Sequence, residues 1–203
     1  MPAPTTSAAY DRLLELVIDH FVVDGLHDQS LRQIAAAIGS SHRMLLYHFG
    51  SRDGLLVAVG KAVEARTKSQ LAKLRAAMVA PGSAEATDEA IRQTWALVSD
   101  PALGDFERLF FALYGRGLQG DEAMRPMMNI EDWIEFRVPE AVAVGIDPQV
   151  ARRHNRLGLA VVRGLLLDLL ATGDADEVRS ALEIFADFYR GAWWVSTRTE
   201  RPQ

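Results

Sequence analysis

Ser30–Leu55 reads SLRQIAAAIGSSHRMLLYHFGSRDGL. Within it Leu31, Ile34, Ala35 and Ile38 recur at helical spacing, so a short first helix carries one narrow apolar face. Gly39 can take the positive φ that ends such a helix, and Ser41 can cap the next one. His42–His48 then alternates large polar and apolar side chains over a second short helix. Two short helices joined by a turn of small residues form a helix-turn-helix, whose second helix can enter the major groove of DNA.

Outward from this stretch the pattern stays helical. On the N-terminal side, Leu13, Leu14, Val17, Ile18 and Phe21 make one stripe on a helix capped by Ser7 and stopped by Gly25. Such a helix suits packing across the two short ones. On the C-terminal side, Ser51 caps a long helix from Arg52 to about Ala77, with Leu55, Leu56, Val59 and Val63 on its apolar side. Ala80-Pro81-Gly82-Ser83 breaks the chain. Helices through Ile91, Trp95 and Val98 and through Phe106, Leu109, Phe110 and Leu113 follow, then a Met- and aromatic-rich stretch up to Pro139. Asp147-Pro148 is an N-cap followed by a first-turn proline, starting a helix to about Ala171, and a last long helix runs from about Ala175 to Ser196. Strand alternation, a Gly-rich phosphate loop and 20-to-50-residue repeats are absent from the pattern. The expected fold class is all-α: an N-terminal three-helix helix-turn-helix domain over 1–56, then a larger helical ligand-binding and dimerisation domain over 57–203.

The motif resembles that of the tetracycline-repressor (TetR) family of bacterial transcription regulators. Ile34-Ala35, Gly39, Ser41, His48-Phe49 and Arg52 with Leu55 stand at the family's mutual spacing. Two positions depart from its pattern. Leu46 stands where tyrosine is usual, with Tyr47 following, and Arg52 replaces the usual lysine while keeping the charge. The resemblance implies a homodimeric regulator, usually a repressor, bound to a palindromic operator in double-stranded DNA. It implies release when a small-molecule effector occupies a C-terminal cavity, with the helix from Arg52 carrying the displacement to the reading heads. It also implies that the last two long helices pair with their mates as a four-helix bundle.

The net charge of −5 gives no global basic signature. Residues 1–75 hold nine Lys and Arg against seven acids, and the remainder thirteen against twenty. A helix-turn-helix needs only a local positive face, and a dimer doubles the phosphate contacts. The chain has no cysteine, so a disulfide framework or thiolate metal site is impossible, and the expected location is cytoplasmic. The N-terminus has no basic segment followed by an apolar one, so no signal peptide is expected. The most apolar run, Leu157–Gly173, is interrupted by Arg163 and Asp168, and no membrane partner is expected.

Candidate DNA-binding residues are Ser41, His42, Arg43, Met44, Tyr47, His48 and Arg52. The Arg43 fork matches the O6 and N7 acceptors of guanine, and Met44 can meet a thymine methyl. His48 and Arg52 suit phosphates, and the Tyr47 hydroxyl can take over the phosphate contact of the motif's usual tyrosine. Leu45 and Phe49 read as core. Trp95, Phe110, Tyr114, Met128, Trp133 and Phe136 are candidate ligand-binding residues for a small, largely apolar effector, although each fits ordinary core as well. Leu157, Val161 and Leu165 of the penultimate helix and Leu182, Phe185 and Tyr189 of the last are candidate dimer-interface residues, with Gly158 and Gly164 allowing close approach. None of the five histidines lies three or four residues from another, so no metal site is expected, nor any cofactor. Ser40-Ser41-His42 is adjacent in sequence only, whereas a triad is a spatial arrangement, so no catalytic residues and no enzyme are expected. The rival reading is an all-α enzyme or small-molecule-binding protein with an apolar cavity.

Overall fold

A computed structural model describes residues 8–76, 84–136, 138–143 and 145–199. The expectations for Ser7 and for Ala80–Ser83 lie outside them. Among the described residues every regular element is helical: α1 (Ala8–Asp24), α2 (Leu31–Ala37), α3 (His42–Phe49), α4 (Arg52–Ala76), α5 (Ala84–Val98), α6 (Gly104–Leu118), α7 (Glu131–Glu135), α8 (Val138–Ala143), α9 (Pro148–Thr172) and α10 (Ala175–Thr199). Short 3-10 turns occupy Pro101–Leu103 and Glu122–Met128. Side-chain chemistry fixes the boundaries. Asp147 Oδ1 accepts from Gln149 N at 2.7 Å and Val150 N at 3.2 Å, satisfying two of the amides that open α9. Gly173 closes the same helix at φ +74°, a left-handed conformation that costs glycine little.

Packing divides the chain into two compact units. The first takes the chain up to Arg66 together with Asp105–Asn129. Its core begins with the inward stripe of α1 (Leu13, Val17, Ile18, Phe21), Leu31, Ile34 and Ala35 of α2, and Leu45 and Phe49 of α3. Leu55, Leu56, Val59 and Val63 of α4 close over them. α6 and the second 3-10 turn complete it: Leu109, Phe110, Leu113, Met124 and Met127 are all buried in the same cluster. Gly60 of α4 is where this addition docks. A Cβ there would collide with Met127 Sδ and sit 2.8 Å from its Cε, so the missing side chain is the seat of the methionine. The three-helix expectation thus holds for α1 to α3, but their apolar floor comes partly from a segment far along the chain.

The second unit takes Thr67–Gly104 and the chain from Ile130. α5 packs on α10, α10 on α9, and α7 and α8 on α9. α10 turns Val178, Leu182, Ala186 and Tyr189 inward, and α5 buries Ile91, Trp95 and Val98. Ion pairs join α5 to α10. Arg92 bridges Asp88 and Glu183, its Nη2 lying 2.6 Å from Glu183 Oε2, and Arg190 Nη2 lies 3.1 Å from Asp88 Oδ2 and 2.7 Å from Asp187. The Arg92 guanidinium holds the Glu183 carboxyl below the usual carboxylate range. Isolated exposed pairs contribute little, but several charges in one network fix the rotation of α10 about its axis. On α7, Glu131 pairs with Arg156 at 2.8 Å, and the Ile134 carbonyl accepts from Asn155 Nδ2 at 2.9 Å.

Candidate nucleic-acid interface

The helix-turn-helix is built by two caps and one glycine. Ser30 and Gln33 form a reciprocal capping box: Gln33 Oε1 accepts from Ser30 N at 2.8 Å, and Ser30 Oγ accepts from Gln33 N at 3.4 Å. After α2 the chain turns through Gly39 at φ +65°. Ser41 then caps α3, its Oγ accepting from Met44 N at 3.2 Å. The Ser41 hydroxyl is therefore spent on the local fold. α3 buries Leu45 and Phe49 and leaves Arg43, Met44, Leu46 and Tyr47 exposed. Tyr47 is 80 % exposed, against 39 % for Met44 and 46 % for Leu46.

His42 and His48 are half-buried. The His48 ring lies between two tyrosines, edge-on to Tyr47 at 5.0 Å between centroids and to Tyr10 of α1 at 6.1 Å. Tyr10 also packs on Phe49 at 4.9 Å, which adds an aromatic contact between α1 and α3 to their shared core. Among the expected DNA contacts, Arg43, Met44, Tyr47 and His48 share the accessible side of one helix.

Arg52 is engaged within its own chain. Its Nε donates to the Gln29 carbonyl at 2.6 Å and its Nη2 to the His27 carbonyl at 3.4 Å, and Nη2 lies 3.1 Å from Asp28 Oδ1. A guanidinium fork fits two carbonyls and a carboxylate at once, so Arg52 ties the loop before α2 to the start of α4. The one-dimensional pattern does not place this loop beside α4. Sequence reasoning also missed His20. Its ring bridges Asp24 Oδ2 at 2.7 Å and Gln29 Oε1 at 2.8 Å, so Asp24, His20, Gln29 and Arg52 run as one chain behind the motif. The only signal for it was the His20–Asp24 spacing of four.

The six expected ligand-binding residues are shared between the units. Phe110 is buried in the core of the first, with Tyr114 stacked on it at 5.7 Å, and Met128 packs over Gly117 in the same unit. Trp95, Trp133 and Phe136 belong to the second. Trp133 has charged company: Lys68 Nζ lies 4.9 Å and Arg163 Cζ 5.6 Å from its ring centroid.

The expected dimer-interface residues separate in the same way. Leu157 is exposed, and Val161, Leu165 and Phe185 are half-buried. A Cβ at Gly158 or Gly164 would meet nothing within 4 Å. Leu182 and Tyr189, however, are only 1 % and 7 % exposed, buried within their own chain. They lie on the inward stripe of α10. Among the described residues, the large exposed apolar side chains of that helix are Ile184 at 73 % and Phe188 at 70 %, one turn apart.

Residues 18–59 match the model of the tetR family of bacterial regulatory proteins. Its N-terminal domain belongs to the tetR family. The match covers α2, α3 and the loop that Arg52 ties down, so the capped motif is a tetR-family DNA-binding helix-turn-helix. No curated protein matches the sequence. Solved structures share the fold around the tetR-family domain. A transcriptional regulator from Rhodococcus sp. Rha1 is similar at 18% identity over 92% of this chain and 95% of that one, with a TM-score of 0.67. The multidrug binding protein EbrR complexed with ethidium is 25% identical over 87% and 95%, with a TM-score of 0.62. A TetR variant from Acinetobacter baumannii AYE in complex with minocycline is 15% identical over 92% and 97%, with a TM-score of 0.59. No helix among the described residues is long and apolar enough to cross a membrane.

Proposed function

We propose that the protein is a homodimeric transcriptional repressor that leaves a palindromic operator when a small, largely apolar effector binds its C-terminal domain. The observation that carries this reading is α3. A capped helix in a tetR-family domain spends only Leu45 and Phe49 on the core and turns Arg43, Met44 and Tyr47 outward. Such a helix lies in the major groove, and two of them on a two-fold axis read half-sites about one helical turn apart, ~34–36 Å. Support for an effector comes from the two similar proteins that hold ethidium and minocycline. Support for the dimer comes from the outward apolar residues of α9 and α10. The effector acts by binding better to the conformer whose recognition helices are out of register with the operator.

Selection of preferred sites from random duplex DNA tests the reading, with binding to the selected palindrome then measured by fluorescence anisotropy. Arg43→Ala is expected to weaken specific binding by about 1–3 kcal/mol, with the loss confined to one base position per half-site. A uniform loss on every sequence with a shallower salt dependence would make Arg43 a phosphate contact instead. A protein that selects no site would end the repressor reading.

A further inference from the structure

Leu46, like Met44, is an apolar residue of α3 that the core does not account for. It is 46 % exposed on a helix whose inward positions are filled by Leu45 and Phe49. A single exposed leucine is ordinary on a protein surface. This one stands on the helix that enters the groove, three positions beyond Arg43, and residues three apart are neighbours on a helix surface. It carries no donor or acceptor, so it cannot hold a phosphate or read a base edge by hydrogen bonding. The major groove offers one apolar group, the C5 methyl of thymine.

We infer that Leu46 is a specificity-determining residue that packs on a thymine methyl beside the guanine read by Arg43. Three residues advance ~4.5 Å along a helix, a little more than one base step of ~3.4 Å. The thymine therefore lies within one or two base pairs of the guanine. The inference rests on the DNA-binding reading above and adds the chemistry of one operator position to it.

The test deletes the same contact from either side. With the full chain, each thymine of the selected half-site is replaced in turn by deoxyuridine, which lacks only the C5 methyl. Wild-type protein and Leu46→Ala are then titrated on each duplex. Uracil at one position near the guanine is expected to weaken the wild type about fourfold, the effect of one methyl-sized group removed from water. Leu46→Ala is expected to bind the thymine and uracil duplexes equally. It should melt with the wild type, because the side chain stands outside the core. A uracil penalty that persists in full in Leu46→Ala overturns the assignment. So does a selected site in which no thymine methyl matters, which leaves the DNA-binding reading standing. Failure to select any site overturns both.

Discussion

Ile184→Glu combined with Phe188→Glu is expected to give a folded monomer that has lost specific operator binding. Both side chains are largely exposed, at 73 % and 70 %, while α10 is held to its own chain by Val178, Leu182, Ala186 and Tyr189 on the other side. The charges should therefore leave the monomer's stability nearly unchanged. In an isologous interface each substituted residue also recurs across the two-fold axis, so two glutamates become four facing like charges in a desolvated contact. Specific complexes are typically 10³–10⁷ tighter than non-specific ones. A lone recognition helix should fall most of the way to the non-specific limit. Sedimentation equilibrium and anisotropy on one sample decide it: a variant that stays dimeric removes this face from the interface. Leu182→Glu is the contrast, since it buries a charge in the chain's own core and should prevent folding.

The second large effect concerns the N-terminal unit. Leu113 of α6 is fully buried among the side chains of α4 and the helix-turn-helix. Leu113→Ala is expected to cost about 2–5 kcal/mol through lost burial and the cavity left behind. That is a large part of the ~5–15 kcal/mol typical of a whole domain. A fragment ending at Arg66 should fare worse, because it lacks Leu109, Phe110, Leu113, Met124 and Met127 together. Its circular dichroism is expected to show no cooperative melting, whereas the full chain should melt cooperatively. A fragment that melts like the full chain would show α1 to α4 to be self-sufficient.

Helix positions were legible because they follow from local chemistry. Ser30, Ser41 and Asp147 cap where their side chains can reach an amide, and Gly173 ends α9 where φ must be positive. Spacing also identified Leu45 and Phe49 as the inward pair of α3, and so the outward set that includes Arg43 and Tyr47. Hydrophobic spacing says which residues of one helix lie together but not what covers them. Val178-Leu182-Tyr189 and Ile184-Phe188 are both apolar sets on α10, and only the packing against α5 and α9 separates them. The Met-rich stretch reads equally as core or as pocket lining in one dimension, and Met124 and Met127 belong to the core cluster that holds Leu55, Leu56 and Val59. The job of Arg52 depends on two loop carbonyls, groups that carry no sequence signature.

The seat of Met127 on Gly60 has a consequence for the nascent chain. Synthesis proceeds at ~5–20 residues per second, so roughly 3–13 s separate the emergence of Gly60 from that of Met127. Throughout that interval Leu55, Leu56 and Val59 lack part of their eventual cover. The recognition helix is complete as sequence long before its floor exists. Domains usually mature in the order of translation, but here the reading head has to wait for a segment that follows α5. A ribosome stalled before Met127 would therefore display an unfinished reading head, open to chaperones and unable to hold DNA.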